Sequence, residues 1–157
     1  MRYQVEAVSE EAFVQQVSRL INRRNRYWRY HLFEISESDD PAKDKDPREV
    51  DAKLVAKYGI DRSSSGRWRD KQSGLGRVAY LRYERTCLIL ATTGLHRVWK
   101  DEPLRYVKKE PLKVFGYRMM NTKGWLDVTI DPTRFKALKA HFVEYIAPLS
   151  AKKARKF

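Results

Sequence analysis

The sequence predicts an α+β fold, a mostly antiparallel sheet of about five strands with three main helices packed on it. Three observations carry this expectation. Asp46-Pro47 and Asp131-Pro132 each place a capping acid before a proline, the pattern that opens a helix. Apolar, β-favouring runs come in neighbouring pairs, Arg77–Tyr83 with Thr86–Ala91 and Leu112–Met119 with Trp125–Ile130, as antiparallel hairpins require. Helices and strands also follow one another in mixed order. At 157 residues the chain is long enough for one core. Residues 1–150 are expected to form one domain, with 151–157 as a basic tail.

The elements follow in chain order. Residues 9–25 read as an amphipathic helix, with Ser9 as cap, Glu10 and Glu11 at its positive end, and Phe13, Val17, Leu20 and Ile21 on one stripe. Arg19, Arg23 and Arg26 would lie along its polar flank. The aromatic run 27–36 predicts a strand. Its alternation points Trp28, Tyr30 and Leu32 to the core and leaves Tyr27 and Arg29 exposed. Glu37 to Asp46 is an acidic loop containing Pro41. The second helix begins at Asp46-Pro47, carries Val50, Leu54 and Tyr58 as its apolar stripe, and ends at Gly59 with Ile60 folding back. Cys87-Leu88-Ile89-Leu90 has no polar face and should be a central buried strand. Glu84-Arg85 lacks the glycine or asparagine that a tight hairpin prefers, whereas Asn121-Thr122-Lys123-Gly124 supplies one. The last helix starts at Asp131-Pro132, with Phe135, Leu138, Phe142 and Ile146 as its core stripe.

Charge is the strongest functional signal. Thirty-three Lys and Arg against 20 Asp and Glu give +13 and a pI near 9.9. The excess is spread over residues 17–33, 61–85, 105–123 and 134–157, with one acidic interruption at 34–51. Four basic segments in a small domain point to a continuous surface for a polyanion, because each cation laid on a phosphate releases counterions. The longest apolar run, Cys87 to Ala91, is far too short to span a membrane, and the first residues show no apolar secretory segment. One cysteine excludes an internal disulfide, and with three scattered histidines it argues against a structural zinc site. A cytoplasmic protein without membrane, metal or cofactor is the expectation.

The segment from Leu54 to Arg69 resembles a helix-turn-helix of the transcription-regulator kind. Leu54 and Val55 match its apolar pair, Gly59 its turn, Ile60 its β-branched residue, and Arg67-Trp68 the end of its recognition helix. Asp61 or a following serine would cap that helix. Ser65 stands where the family has a buried apolar residue, and Gly66 costs about 1 kcal/mol in a helix interior. The competing picture is a basic loop from Arg62 to Arg77 that orders on nucleic acid. Both pictures place Arg62, Arg67, Arg69, Lys71 and Arg77 near phosphates, with Trp68 available for stacking. A second candidate, Arg23-Arg24-Asn25-Arg26-Tyr27-Trp28-Arg29, interleaves cations with flat rings that unpaired bases can stack on.

Catalytic patterns are weaker. His31, His96 and His141 are isolated, so no His-x-His pair supports a nicking reaction through Tyr145. Glu34, Asp127 and Lys123 could be assembled into a two-carboxylate site only on generic grounds. Cys87 reads as an inert core thiol, His96 as a structural histidine, and Gly74-Leu75-Gly76 is too short for a phosphate-binding loop. The composition therefore implies a non-catalytic accessory or regulatory protein that binds nucleic acid, with DNA favoured over RNA by the resemblance alone. The expected contacts are Arg19, Arg23, Arg24, Arg26, Tyr27, Arg29, Arg62, Arg67, Trp68, Arg69, Lys71 and Arg77. Two alternatives stay open: a small metal-dependent nuclease or strand-transfer enzyme, and an RNA-contacting subunit of a larger ribonucleoprotein complex with a protein partner. The latter predicts solvent-exposed apolar surface.

Overall fold

The computed structural model describes residues 4–146; the basic tail 151–157 and the side chain of Ile146 lie outside the described residues. Strands β1 (Arg29–Glu34), β2 (Val78–Tyr83), β3 (Thr86–Ala91) and β4 (Arg105–Tyr106) form an antiparallel sheet in the order β2-β3-β1-β4. Strands β5 (Leu112–Val114), β6 (Tyr117–Thr122) and β7 (Trp125–Ile130) form a second sheet, an antiparallel meander. The helices are α1 (Glu10–Ile21), α2 (Pro47–Tyr58), α3 (Ser64–Gln72), the single turn α4 (Val98–Asp101) and α5 (Pro132–His141), which runs on into a π-helical turn, Phe142–Ile146. The α+β class holds. The expected single sheet is two.

Strand β3 organises the core. It pairs with β2 on one side and β1 on the other, with Leu88 opposite both Leu81 and Leu32. Leu88 and Leu90 point into a cluster with Phe13, Val17 and Ile21 of α1 and Leu112 and Met119 of the meander. Cys87, Ile89 and Ala91 point the other way, against Tyr58 and Ile60 at the end of α2 and Val98 of α4. A strand buried on both faces needs an apolar residue at every position, which is why this run lacks alternation. Each large side chain so buried contributes about 1.5–3 kcal/mol. The segment Val5–Ala7 lies along the outer edge of β2, exchanging backbone hydrogen bonds with Arg82.

Several expected boundaries move, for local reasons. Helix α1 stops at Ile21 rather than at residue 25, because the Asn22 side chain accepts from the N–H groups of Arg24 and Asn25 and closes a turn. The run 112–119 is broken by a two-residue turn at Phe115-Gly116, both at positive φ, which gives the meander its third strand. The Glu84-Arg85 hairpin is tight despite its residues; Glu84 takes φ 51°, and its carbonyl accepts from Arg82 at 2.7 Å.

The last helix departs furthest from expectation. Asp131 caps α5 as predicted. Its Phe135, Leu138 and Phe142, expected as a core stripe, are solvent-exposed instead. The helix is held to the meander by Arg134, which lies over the Tyr117 ring and donates to the Phe115 carbonyl. Apart from Arg134, every residue of α5 is exposed.

Candidate nucleic-acid interface

The five residues after α1 form a scaffolded turn carrying three arginines. Besides the Asn22 contacts, the Asn25 amide donates to the Arg19 carbonyl at 2.6 Å, and the Arg26 N–H donates to the Asn22 carbonyl. Arg26 sits at φ 59°, a left-handed conformation a non-glycine residue adopts only when its surroundings enforce it. That reversal lets the Tyr27 N–H donate to the Leu20 carbonyl and carries the Tyr27 ring into the core. Tyr27 is 6% exposed, so the expectation that it offers a free stacking face is corrected. Burial raises its hydroxyl above the ordinary tyrosine range, against the opposing pull of Arg77 and Arg67 nearby.

The second contributor is the α2–α3 unit. Gly59 ends α2 in the left-handed conformation, with its N–H returning to carbonyls of the last turn. Ser63 caps α3 by accepting from the Gly66 N–H at 3.1 Å. Residues 64–72 are thus a helix rather than a loop, and no residue of α3 is buried. Ser65, where a core residue belongs in the resembled motif, faces solvent. Trp68 is 62% exposed, between Arg67 and Arg69 on the same helix.

These segments meet in a cleft of about 460 Å³ lined by Arg23, Arg24, Arg26, Lys71 and Arg77. No acid lines it. None of the five joins an ion pair among the described residues. Arg77 is fixed in place: its guanidinium lies 5.3 Å from the Tyr27 ring centroid and donates to the Asn25 carbonyl at 3.2 Å. The tip of the β6–β7 hairpin comes close as well, since a Cβ added at Gly124 would stand 3.8 Å from Arg23 Cδ. That brings Lys123 and the exposed Trp125 toward the arginine turn, two residues outside the expected nucleic-acid contacts. A lysine and a tryptophan flanking a hairpin glycine were the only signals available.

A smaller cavity, about 120 Å³, adjoins the cleft through their shared wall, Arg77. Tyr58, Ile60, Leu75, Val78 and Leu95 give it apolar walls, and Arg62, Arg67, Asp70 and His96 contribute polar groups. Its shape depends on close backbone packing: a Cβ at Gly94 would stand 2.6 Å from the Gly76 nitrogen. His96 Nδ1 accepts from the Val98 N–H at 3.1 Å, and burial lowers its pKa.

The remaining expected contacts lie elsewhere or are already engaged. Arg62 is held bidentate by Asp70 at 2.5 and 2.6 Å. Arg29 is half-buried, packed against the rings of Tyr106 and Trp99 at 4.1 and 5.3 Å, which corrects its expected exposure. Arg19 and Arg69 are exposed but do not line the cleft. Much of the basic excess elsewhere is paired within the protein. Arg82, 3% exposed, binds Asp51 through Nε at 2.9 and 3.0 Å; Arg85 pairs with Asp44, Arg97 with Asp101, and Arg105 with Glu110.

Glu34 and Asp127 lie on strands of different sheets. His31 binds Glu102 at 2.9 Å, and the Tyr58 hydroxyl, pushed up to about 12 by burial, donates to the same carboxylate. Cys87 is buried, and burial raises its thiol pKa. Among the described residues no group of His, Cys, Asp and Glu converges to hold a metal ion, and no helix is long and apolar enough to cross a membrane. No family model matches the sequence, and neither a curated protein nor a solved structure matches it.

Proposed function

We propose that the protein binds nucleic acid through the arginine cleft, as a non-catalytic accessory or regulatory factor. The observation that supports this most is the meeting, in one cleft, of five cations from three separate segments, none of them ion-paired and with no acid beside them among the described residues. Arginines held side by side by backbone geometry suit a run of phosphates, and the unpaired state leaves their full charge for the ligand. Helix α3 runs beside the cleft with Arg67, Trp68 and Arg69 free in solvent. Its likeness, with α2, to a helix-turn-helix favours DNA over RNA.

The test is an anisotropy titration against duplex DNA, single-stranded DNA and hairpin RNA across a salt series. Five phosphate contacts on a duplex give a log–log salt slope of about −4.5. No binding to any of the three at low salt overturns the reading.

A second reading has its own support. The exposed apolar face of α5, with Phe135, Leu138 and Phe142, suits a subunit of a larger nucleoprotein complex in which a protein partner covers it. Tight, stoichiometric binding by a monodisperse monomer would argue against that assembly.

A further inference from the structure

The small cavity beside the cleft is built unlike a phosphate site. Its backbone N–H groups are already used: Ile60 donates to Val55, Leu75 to Asp70, and Gly76 to Leu95. Ile60, Leu75, Val78 and Leu95 share its wall with the polar side chains of Arg62, Arg67, Asp70, Arg77 and His96. Its one carboxylate, Asp70, is neutralised by Arg62. At about 120 Å³ it has room for roughly ten heavy atoms, the size of one nucleobase and too small for a whole nucleotide. Two cations stand where the attached backbone would pass: Arg67, exposed at the rim, and Arg77, shared with the cleft.

We propose that this cavity takes a single unpaired or extruded nucleobase from a strand whose phosphates lie in the arginine cleft. The inference rests on the nucleic-acid reading and narrows it to ligands that can offer a free base. The apolar part of the wall takes the face of the base out of water, while Arg67 and Arg77 hold the phosphates on either side of it. An unpaired base enters at no unpairing cost, so duplexes carrying one should be preferred over fully paired ones.

The experiment compares three duplexes of the same length by anisotropy at fixed salt. One is fully paired, one carries a single bulged nucleotide (each of the four bases in turn), and one carries an abasic residue at the bulge. The expected result is about tenfold tighter binding of the bulged duplex, with the abasic bulge returning to the paired level. Leu95→Trp, a bulkier side chain at an exposed position on the cavity's rim, should obstruct its mouth, remove the preference and leave binding to the paired duplex intact. Leu75→Trp serves the same purpose if the first variant does not fold. Equal binding of all three duplexes overturns the base pocket while leaving the cleft reading standing. Failure of all three to bind overturns the cleft reading and the pocket with it.

Discussion

Replacing Arg23, Arg24 and Arg26 together by glutamine should weaken nucleic-acid binding far more than the loss of net charge explains. The three side chains line the cleft and none is ion-paired among the described residues. Each phosphate contact contributes about 0.9 to the log–log salt slope on duplex DNA, so three lost contacts correspond to about two decades of affinity at 0.15 M salt, near 3 kcal/mol. The slope should fall from about −4.5 to about −2. The matched control replaces Arg85, Arg97 and Arg105, each paired with an acid and none lining the cleft. Both triple variants lower the formal charge from +13 to +10, so long-range attraction changes equally. Anisotropy titrations of the two variants on one duplex separate location from charge. Equal losses in the two variants would refute the reasoning, because binding would then follow net charge alone.

Other outcomes follow from the same geometry. Asp51→Ala removes the two contacts at 2.9 and 3.0 Å from the buried Arg82 guanidinium and should cost about 3–5 kcal/mol in urea unfolding; a loss below about 1 kcal/mol would mean that Glu6 and the Glu84 carbonyl suffice. Phe135→Ser should change stability by less than about 1 kcal/mol, because the ring is exposed; a loss above about 2 kcal/mol would show that it packs in a core. His96 has a folded-state pKa held down by burial, so the unfolded chain takes up its proton first and stability falls as the pH drops through about 6.5. His96→Asn, whose amide oxygen can still accept from the Val98 N–H, should flatten that part of the pH–stability curve; an unchanged curve assigns the dependence to other groups.

The parts of this fold that were legible in the sequence are those fixed by local chemistry. Ser9, Asp46, Asp131 and Gly59 mark helix ends where their side chains or dihedral freedom satisfy end groups, and all four do so. The double-sided burial of β3 follows from a run with no polar face. What was not legible depends on reversals of one or two residues. Arg26 in the left-handed region shifts the alternation that precedes β1 and takes Tyr27 from surface to core. Phe115-Gly116 gives no stronger signal than a single glycine, yet it creates a strand. For α5, the spacing of Phe135, Leu138 and Phe142 does not say whether anything covers them, and all three are exposed.

The candidate site was half legible for a related reason. Arg23, Arg24, Arg26, Lys71 and Arg77 were all named from composition, and the fold brings them together. Residue type alone does not separate them from Arg62, Arg82 or Arg85, whose charge is met by Asp70, Asp51 and Asp44. Those pairings link positions 8, 31 and 41 residues apart, a spacing that no local pattern records.

The most direct test of the cleft is amide hydrogen exchange of the protein alone and saturated with a short DNA duplex. Added protection should concentrate in residues 22–27 and in α3 through Arg77, the backbone that carries the five cations, with the acidic stretch 37–46 unchanged. Protection confined to other surfaces, or none at saturating DNA, would contradict the placement of the interface in the arginine cleft.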